Sequence, residues 1–320
     1  MAAEVKICNP ATAHALGKPS CAFTNATLSA AMNQEIAQWT DPVAYLRQAL
    51  KHDHFTLYCQ PIAALSGMVV YPMAEVLIRL AEEEKALLPP GEFLPILEHY
   101  GMMPELDRWV VREALRRLST GPEIPRFCVN VSGQTIADPK FPDFFAHEIM
   151  SSGVPADCVV FEIDEADALA LPTSIRRFMA TVGSLGAGVL IDGFGRAEDY
   201  LVTLGLPCVQ FVKVHGSLTR YLASDEAAVA KMNTLLHVTS QLGVAVIAES
   251  VEDLEILTRL KTMNVRYAQG FGICRPQSID LVSELPVMRF SDRCDEESAP
   301  VPLRGRLDLT GRQQRNGAAA

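Results

Sequence analysis

Long apolar runs, an excess of positive charge and paired cysteines are all missing from this chain. No stretch approaches the roughly 18 apolar residues of a membrane-spanning helix, so no membrane association is expected. Lysine and arginine number 28 against 38 acids, a net charge of −10. That balance argues against a broad DNA-binding face, although a local anion site stays compatible with it. The eight cysteines, at 8, 21, 59, 128, 158, 208, 274 and 294, include no Cys-x-x-Cys pair. Several sit in apolar strand-like runs, where cysteine packs as a small hydrophobe. A reduced compartment fits better than a disulfide framework or a zinc site. The opening MAAEVKICNP lacks the charged and apolar regions of a signal peptide, and a cytoplasmic location is expected. No Gly-x-Gly-x-x-Gly follows the first strand, so the dinucleotide fingerprint is absent as well.

What is present is ordinary globular material, with 49% apolar and 21% charged residues over 320 positions. The length allows one large domain or two ordinary ones. Residues 1–40 show no sustained periodicity and read as a partly disordered lead-in, with one helix near Leu28 to Trp39. Asp41-Pro42 marks a helix start, since aspartate caps well and proline suits the first turn. From there strand-like and helix-like segments alternate about eight times, which suits a (β/α)8 barrel of TIM type. The expected strands begin at Phe55 (closed by Pro61), Val69, Phe127, Val159, Gly188, Phe211, Val244 and Tyr267, the last running to Arg275. An open doubly wound sheet is the competing architecture. After about Pro286 the pattern stops, and residues 287–320 read as a disordered tail.

The run Gly188-Val-Leu-Ile-Asp-Gly-Phe-Gly195 shows how the barrel would carry chemistry. Three apolar residues read as a strand buried on both faces, and the glycines after it let the backbone turn. Asp192 is thereby placed at the strand's carboxyl end. Polar residues recur at the same point of other strands: Glu75, Asn130, Glu162, Lys213, Glu249 and Gln269. A single acid there is more often a helix cap or an ion-pair partner, and a lone lysine more often a snorkelling residue. Seven in register converge on one face of a barrel, where such folds place their sites. Carboxylates with an amide oxygen make a hard, all-oxygen set suited to Mg²⁺ or Mn²⁺, and a lysine among acids can orient or deprotonate a water.

At these residues the chain resembles the EAL domains, phosphodiesterases and receptors for the bacterial messenger cyclic di-GMP. The resemblance runs from about Asp41 to Glu284. It rests on Tyr58-Cys-Gln-Pro-Ile62, Ala74-Glu-Val-Leu-Ile-Arg79, Pro90-Gly-Glu-Phe-Leu-Pro95 and Val129-Asn-Val-Ser132. Glu162-Ile-Asp-Glu165, Ala248-Glu-Ser-Val-Glu252 and Gln269-Gly-Phe271 complete it. It implies that Glu75, Asn130, Glu162 and Asp192 ligate a first Mg²⁺ or Mn²⁺, with Asp192 bridging to a second. Lys213 and Glu249 would handle the attacking water, and Gln60, Arg79, Gln269 and Glu252 would contact the ligand. The implied reaction opens cyclic di-GMP to the linear dinucleotide.

Two departures sit inside that machinery. Where the family usually has Asp-Asp-Phe-Gly-Thr-Gly, this chain has Asp192-Gly193-Phe194-Gly195-Arg196-Ala197, and where it has Ile-Asp after the lysine, this chain has Val214-His215. The carboxylate of the second metal site is missing. His215 is a candidate replacement ligand, although a lone histidine there is more often a hydrogen-bonded filler. Arg196 is a candidate phosphate contact, although a salt bridge is its commoner use. The expectation is a divergent domain that binds cyclic di-GMP with weak or absent hydrolysis and signals through a protein partner. An active phosphodiesterase and an interaction module without nucleotide are the alternatives. Family members often dimerise near the altered loop, which leaves a homodimer open.

Overall fold

Strands this short and apolar on both faces need a neighbour on each side, and they find it by closing a ring. In the computed structural model the described residues are 41–66, 71–82, 86–88, 90–196, 200–284, 286–287 and 301–302. The lead-in expected over 1–40 and nearly all of the tail expected over 287–320 lie outside them. The ring runs β1 (Phe55–Ala64), β2 (Met73–Glu82), β4 (Phe127–Asn130), β5 (Val159–Asp164), β6 (Gly188–Phe194), β7 (Val209–Val214), β8 (Ala245–Ala248), β9 (Tyr267–Ala268), and back to β1. The short strands β3 (Ala86–Leu88) and β10 (Gln277–Ser278) add to β2 and β1. Among the described residues no helix is long and apolar enough to cross a membrane.

The barrel departs from a strict (β/α)8 at its first strand. β1 runs antiparallel to both β2 and β9, whereas the neighbours from β2 to β9 are parallel to one another. Pro61, expected to close this strand, lies inside it. It falls between the residues paired with β10 (Tyr58, Cys59) and those paired with β9 (Ala63, Ala64), a stretch with a sheet neighbour on one side only. A missing N–H is tolerated in such a place. The last strand is also shorter than expected. After Ala268 the chain turns, because Gly270 and Gly272 pack directly on the backbone of Val251 and Glu252.

The helices follow from local signals. Asp41 caps α1 (Pro42–Lys51) by accepting from Ala44 N at 2.9 Å. The others that bear on the site are α3 (Met103–Leu118), α4 (Gly133–Ala137), α5 (Phe141–Ser152), α6 (Glu165–Ala170), α7 (Pro172–Ser184), α9 (Gly216–Thr219), α10 (Glu226–Gln241) and α11 (Leu254–Thr262); α2 spans Pro90–His99 and α8 Tyr200–Leu204. Outward-facing strand residues hold them on. Phe161 of β5 meets Phe145 and Phe141 of α5 and Phe178 of α7 at ring-centroid distances of 4.8, 6.0 and 5.4 Å.

The inward face has a different order. Ile62, Met73, Cys128, Val160, Leu190, Phe211, Ala245 and Ile247 form a separate buried cluster with Tyr267 against it, which plugs the barrel. Side chains two apart on a strand share a face. Two residues beyond this apolar floor, every strand therefore presents a polar group toward the mouth: Glu75, Asn130, Glu162, Asp192, Lys213, Glu249 and Gln269. On the reversed β1 the matching residue is Gln60, two before Ile62. The alternation that fills the core also builds the site.

Candidate binding and catalytic site

At the centre of the polar ring stands Lys213, 2% exposed. Its Nζ donates to Glu75 Oε2 at 2.9 Å and to Glu162 Oε1. Glu75 gathers more donors: Asn130 Nδ2 reaches its Oε1 at 3.3 Å and Gln269 Nε2 its Oε2 at 2.9 Å. Gln269 Nε2 also lies 3.4 Å from Gln60 Oε1, while Gln60 Nε2 donates to the carbonyl of Cys274 at 3.0 Å. Six strands thus meet around one ammonium.

Electrostatics divide the two glutamates. Burial by itself raises the Glu75 pKa, but the Lys213 charge and the bonds from Lys213, Gln269 and Asn130 outweigh it and hold the carboxyl below its usual range. Glu162 goes the other way: burial, then the Glu75 charge, lift it well above the usual carboxylate, and Lys213 offsets this only in part. Lys213 itself is pressed down by burial but held well above its ordinary value by Glu162, Glu75 and Asp192. The lysine therefore stays an ammonium, and Glu162 carries the heavier electrostatic burden of the two glutamates. Counted as formal charges, Glu75, Glu162 and Asp192 leave two negative charges uncompensated after Lys213.

A divalent cation answers that imbalance. Glu162 Oε2 and Asp192 Oδ1 are buried without a hydrogen-bond partner, and orphaned carboxylate oxygens of this kind point to an absent positive ligand. Among the described residues no three His, Cys, Asp or Glu side chains are already gathered into a cage, because the ammonium stands between Glu75 and Glu162. The donors nonetheless fit a hard cation. Glu75, Asn130, Glu162 and Asp192 are all oxygen donors on adjacent strands, with Asn130 in register with Glu162.

The remaining candidates stand around this cluster. Glu249 lies just past β8, where its Oε1 accepts from Gly216 N at 2.5 Å. Burial raises its pKa, the Gly216 bond pulls it back, and Asp192 raises it further. Arg79 sits toward the mouth on the face of Glu75, with its guanidinium 5.4 Å from the Tyr58 ring and Nη1 donating to Ile78 O at 2.8 Å. Glu252 is exposed on the loop after β8, outside the hydrogen-bonded cluster. His215 is a helix cap: its Nδ1 accepts from Ser217 N at 3.3 Å and lies 2.8 Å from Ser217 Oγ. Arg196 is an ion-pair partner, with Nη2 donating to Asp164 Oδ2 at 2.6 Å.

Sequence reasoning passed over the groups that hold the turn following Asn130. Asp107 on α3 is 4% exposed, and its Oδ2 accepts from Ser132 N at 3.0 Å, Ser132 Oγ at 2.8 Å and Thr135 Oγ1 at 2.6 Å. Asp167 Oδ2 takes Gly133 N at 2.9 Å. Burial pushes Asp107 up to about 6 against these three bonds and the Arg108 charge. A signal existed: Asp107 shares its helix face with the buried Val110, Val111 and Ala114.

The EAL domain family model matches residues 43–276. Among curated proteins, the chain is similar to cyclic di-GMP phosphodiesterase PdeB of Shewanella oneidensis, 30% identical over 252 residues, covering 78% of this chain and 29% of that protein. It is 28% identical over 250 residues to cyclic di-GMP phosphodiesterase PdeF of Escherichia coli, covering 77% and 33%. The chain thus spans about a third of the length of these relatives. Among solved structures, the FimX EAL domain of Pseudomonas aeruginosa bound to c-di-GMP superposes with a TM-score of 0.70 at 26% identity, over 75% of this chain and 97% of that one. A barrel with one reversed strand, a ring of acids around a buried lysine and a family match across 43–276 identify the chain as a member of the EAL domain family.

Proposed function

We propose that this domain binds cyclic di-GMP at the barrel mouth with one divalent cation, and hydrolyses it very slowly or not at all. It then serves as a cytoplasmic receptor or regulator in a signalling pathway, passing the ligand's presence to a protein partner. The observation that carries the reading is position 193. Glycine there supplies no carboxylate beside Asp192, and the Arg196 guanidinium fills the space.

Each residue has a task that its surroundings support. Arg79, half-buried toward the mouth and steadied by Tyr58, presents a planar fork of donors suited to a phosphate. Gln60 and Gln269 line the wall beside it. Glu75, Asn130, Glu162 and Asp192 would hold Mg²⁺ or Mn²⁺, and a bound cation would supply positive charge against the phosphoryl oxygens. Lys213 holds Glu75 and Glu162 in place and, with Glu249, can orient a water. Two-cation cleavage of a phosphodiester uses both ions to clamp the charge that develops in the transition state. With one position lost, binding survives better than turnover.

Calorimetric titration of cyclic di-GMP with Ca²⁺ present, followed by a product assay with Mg²⁺ or Mn²⁺, tests the reading. Tight binding with little linear dinucleotide is expected. Brisk conversion abolished by Glu75→Ala would establish the active phosphodiesterase instead, and absence of binding with or without metal would leave the interaction module.

A further inference from the structure

Position 193 has lost more than a side chain. Gly193 turns the backbone at φ +68°, and the room a side chain would use is already taken. A Cβ built there would lie 2.6 Å from Arg196 Nε and 2.7 Å from its Cζ. The guanidinium is fixed in that place by two bonds, Nη2 to Asp164 Oδ2 at 2.6 Å and Nε to the Gly193 carbonyl at 3.3 Å. Asp164 is fixed in turn, because its Oδ1 caps α6 by accepting from Ala166 N at 2.7 Å. It pairs in register with Asp192 on the neighbouring strand. The loop has two further ties: Lys231 Nζ from α10 donates to the Gly195 carbonyl at 2.8 Å, and Gly195 N donates to Glu165 Oε1 at 3.3 Å. An ion pair this exposed, with side chains 45% and 42% accessible, contributes little to stability alone. Its placement over Gly193 is what stands out.

We propose that Gly193 and Arg196 act as one coupled pair, in which the guanidinium closes the ground beside Asp192 to a second divalent cation. This rests on the one-cation reading of the site given above. The reasoning is electrostatic and steric together. A positive charge paired to Asp164, the in-register neighbour of Asp192, repels a second cation, and the guanidinium occupies the volume from which a carboxylate at 193 would reach that cation. A carboxylate restored at 193 would meet Arg196 first and pair with it, so its charge would be spent on the arginine. Arg196 is thus a positioning residue that sets the metal count.

Mn²⁺ titration by calorimetry on chelator-treated protein tests this in four forms: wild type, Gly193→Asp, Arg196→Ala and the double variant. The expected numbers of tightly bound ions are one, one, one and two. Thermal unfolding of each form confirms that it is folded. Aspartate and asparagine are the side chains that best tolerate a left-handed backbone. Should aspartate at 193 fail to fold, Gly193→Asn with Arg196→Ala places an oxygen at the same point, and the same counts are read. A second tight site in wild type or in Gly193→Asp alone overturns the pair, and so does a double variant that still takes one ion. A wild-type protein that takes no Mn²⁺ overturns the one-cation reading beneath it, so the two failures are told apart.

Discussion

Replacing Glu162 by glutamine should make the metal-free domain more stable and the metal-loaded domain less so. Glu162 is 1% exposed and shares its pocket with two other carboxylates. At an effective dielectric constant of about 20, each like-charge pair a few ångströms apart costs about 3–4 kcal/mol. Two such repulsions face one closer attraction from Lys213, so the net electrostatic burden is on the order of 3 kcal/mol before desolvation. Glutamine keeps the shape and an acceptor oxygen for Lys213, and the ammonium retains Glu75 at 2.9 Å, so no unpaired charge is left behind. Against this, the new amide N–H replaces Oε2, which has no partner, at a cost of about 1–3 kcal/mol. The balance favours the variant by up to about 2 kcal/mol, a rise in Tm of up to about 8 °C for a domain of this size. With Mn²⁺ at about 100 times its Kd the wild type gains about 2.7 kcal/mol, most of which the variant should forgo. Differential scanning calorimetry in chelator and in excess Mn²⁺ reads both effects. A variant that melts below wild type in chelator would show that the Lys213–Glu162 pair is net stabilising, and equal metal shifts in the two proteins would remove Glu162 from the ligand set.

Three further outcomes are expected. Arg79→Ala should weaken cyclic di-GMP binding by about 10–100-fold, the value of a charge-assisted phosphate contact, while leaving the ligand-free Tm nearly unchanged; an unaltered titration would place the phosphate elsewhere. Wild-type protein with Mg²⁺ or Mn²⁺ should release little linear dinucleotide over hours by chromatography, and the Gly193→Asp/Arg196→Ala form should release more if Lys213 and Glu249 are intact. Asp107, whose pKa is raised to about 6, binds its proton more tightly folded than unfolded, so its contribution to stability falls as pH rises from about 4 to 6. Asp107→Asn lacks that titration, and its stability relative to wild type should climb by up to about 3 kcal/mol across the window; parallel pH profiles in urea unfolding would refute this.

Much of this was legible in the chain because one period does two jobs. Val160 and Glu162, or Leu190 and Asp192, are two apart, so the pattern that marks a strand also marks what faces the mouth. The direction of β1 was not legible, since a strand reads the same parallel or antiparallel and only its partner decides. Pro61 misled for a related reason: proline ends a strand paired on both sides, and this stretch has one sheet neighbour. His215 and Arg196 were ambiguous because their partners, Ser217 and Asp164, are equally plausible bystanders in sequence. Asp107 escaped notice because its partners, Ser132 and Thr135, lie 25 and 28 residues away.

The reversed first strand also makes the barrel a ring with a seam. β1 and β2 are joined over eight residue pairs, from Phe55 with Leu80 to Ile62 with Met73, and are close in sequence, so that hairpin closes early and cheaply. The opposite edge is held by two pairs, Ala63 with Ala268 and Ala64 with Tyr267, and by Leu65 N to Arg266 O at 3.0 Å, across about two hundred residues of chain. Gln60 and Gln269 stand on either side of this join. Amide hydrogens near Ala63 and Ala268 should therefore exchange by a local opening well below the free energy of global unfolding. A ligand touching both glutamines would suture the ring where it parts most readily, so that slowed exchange at the seam becomes the signature of an occupied mouth.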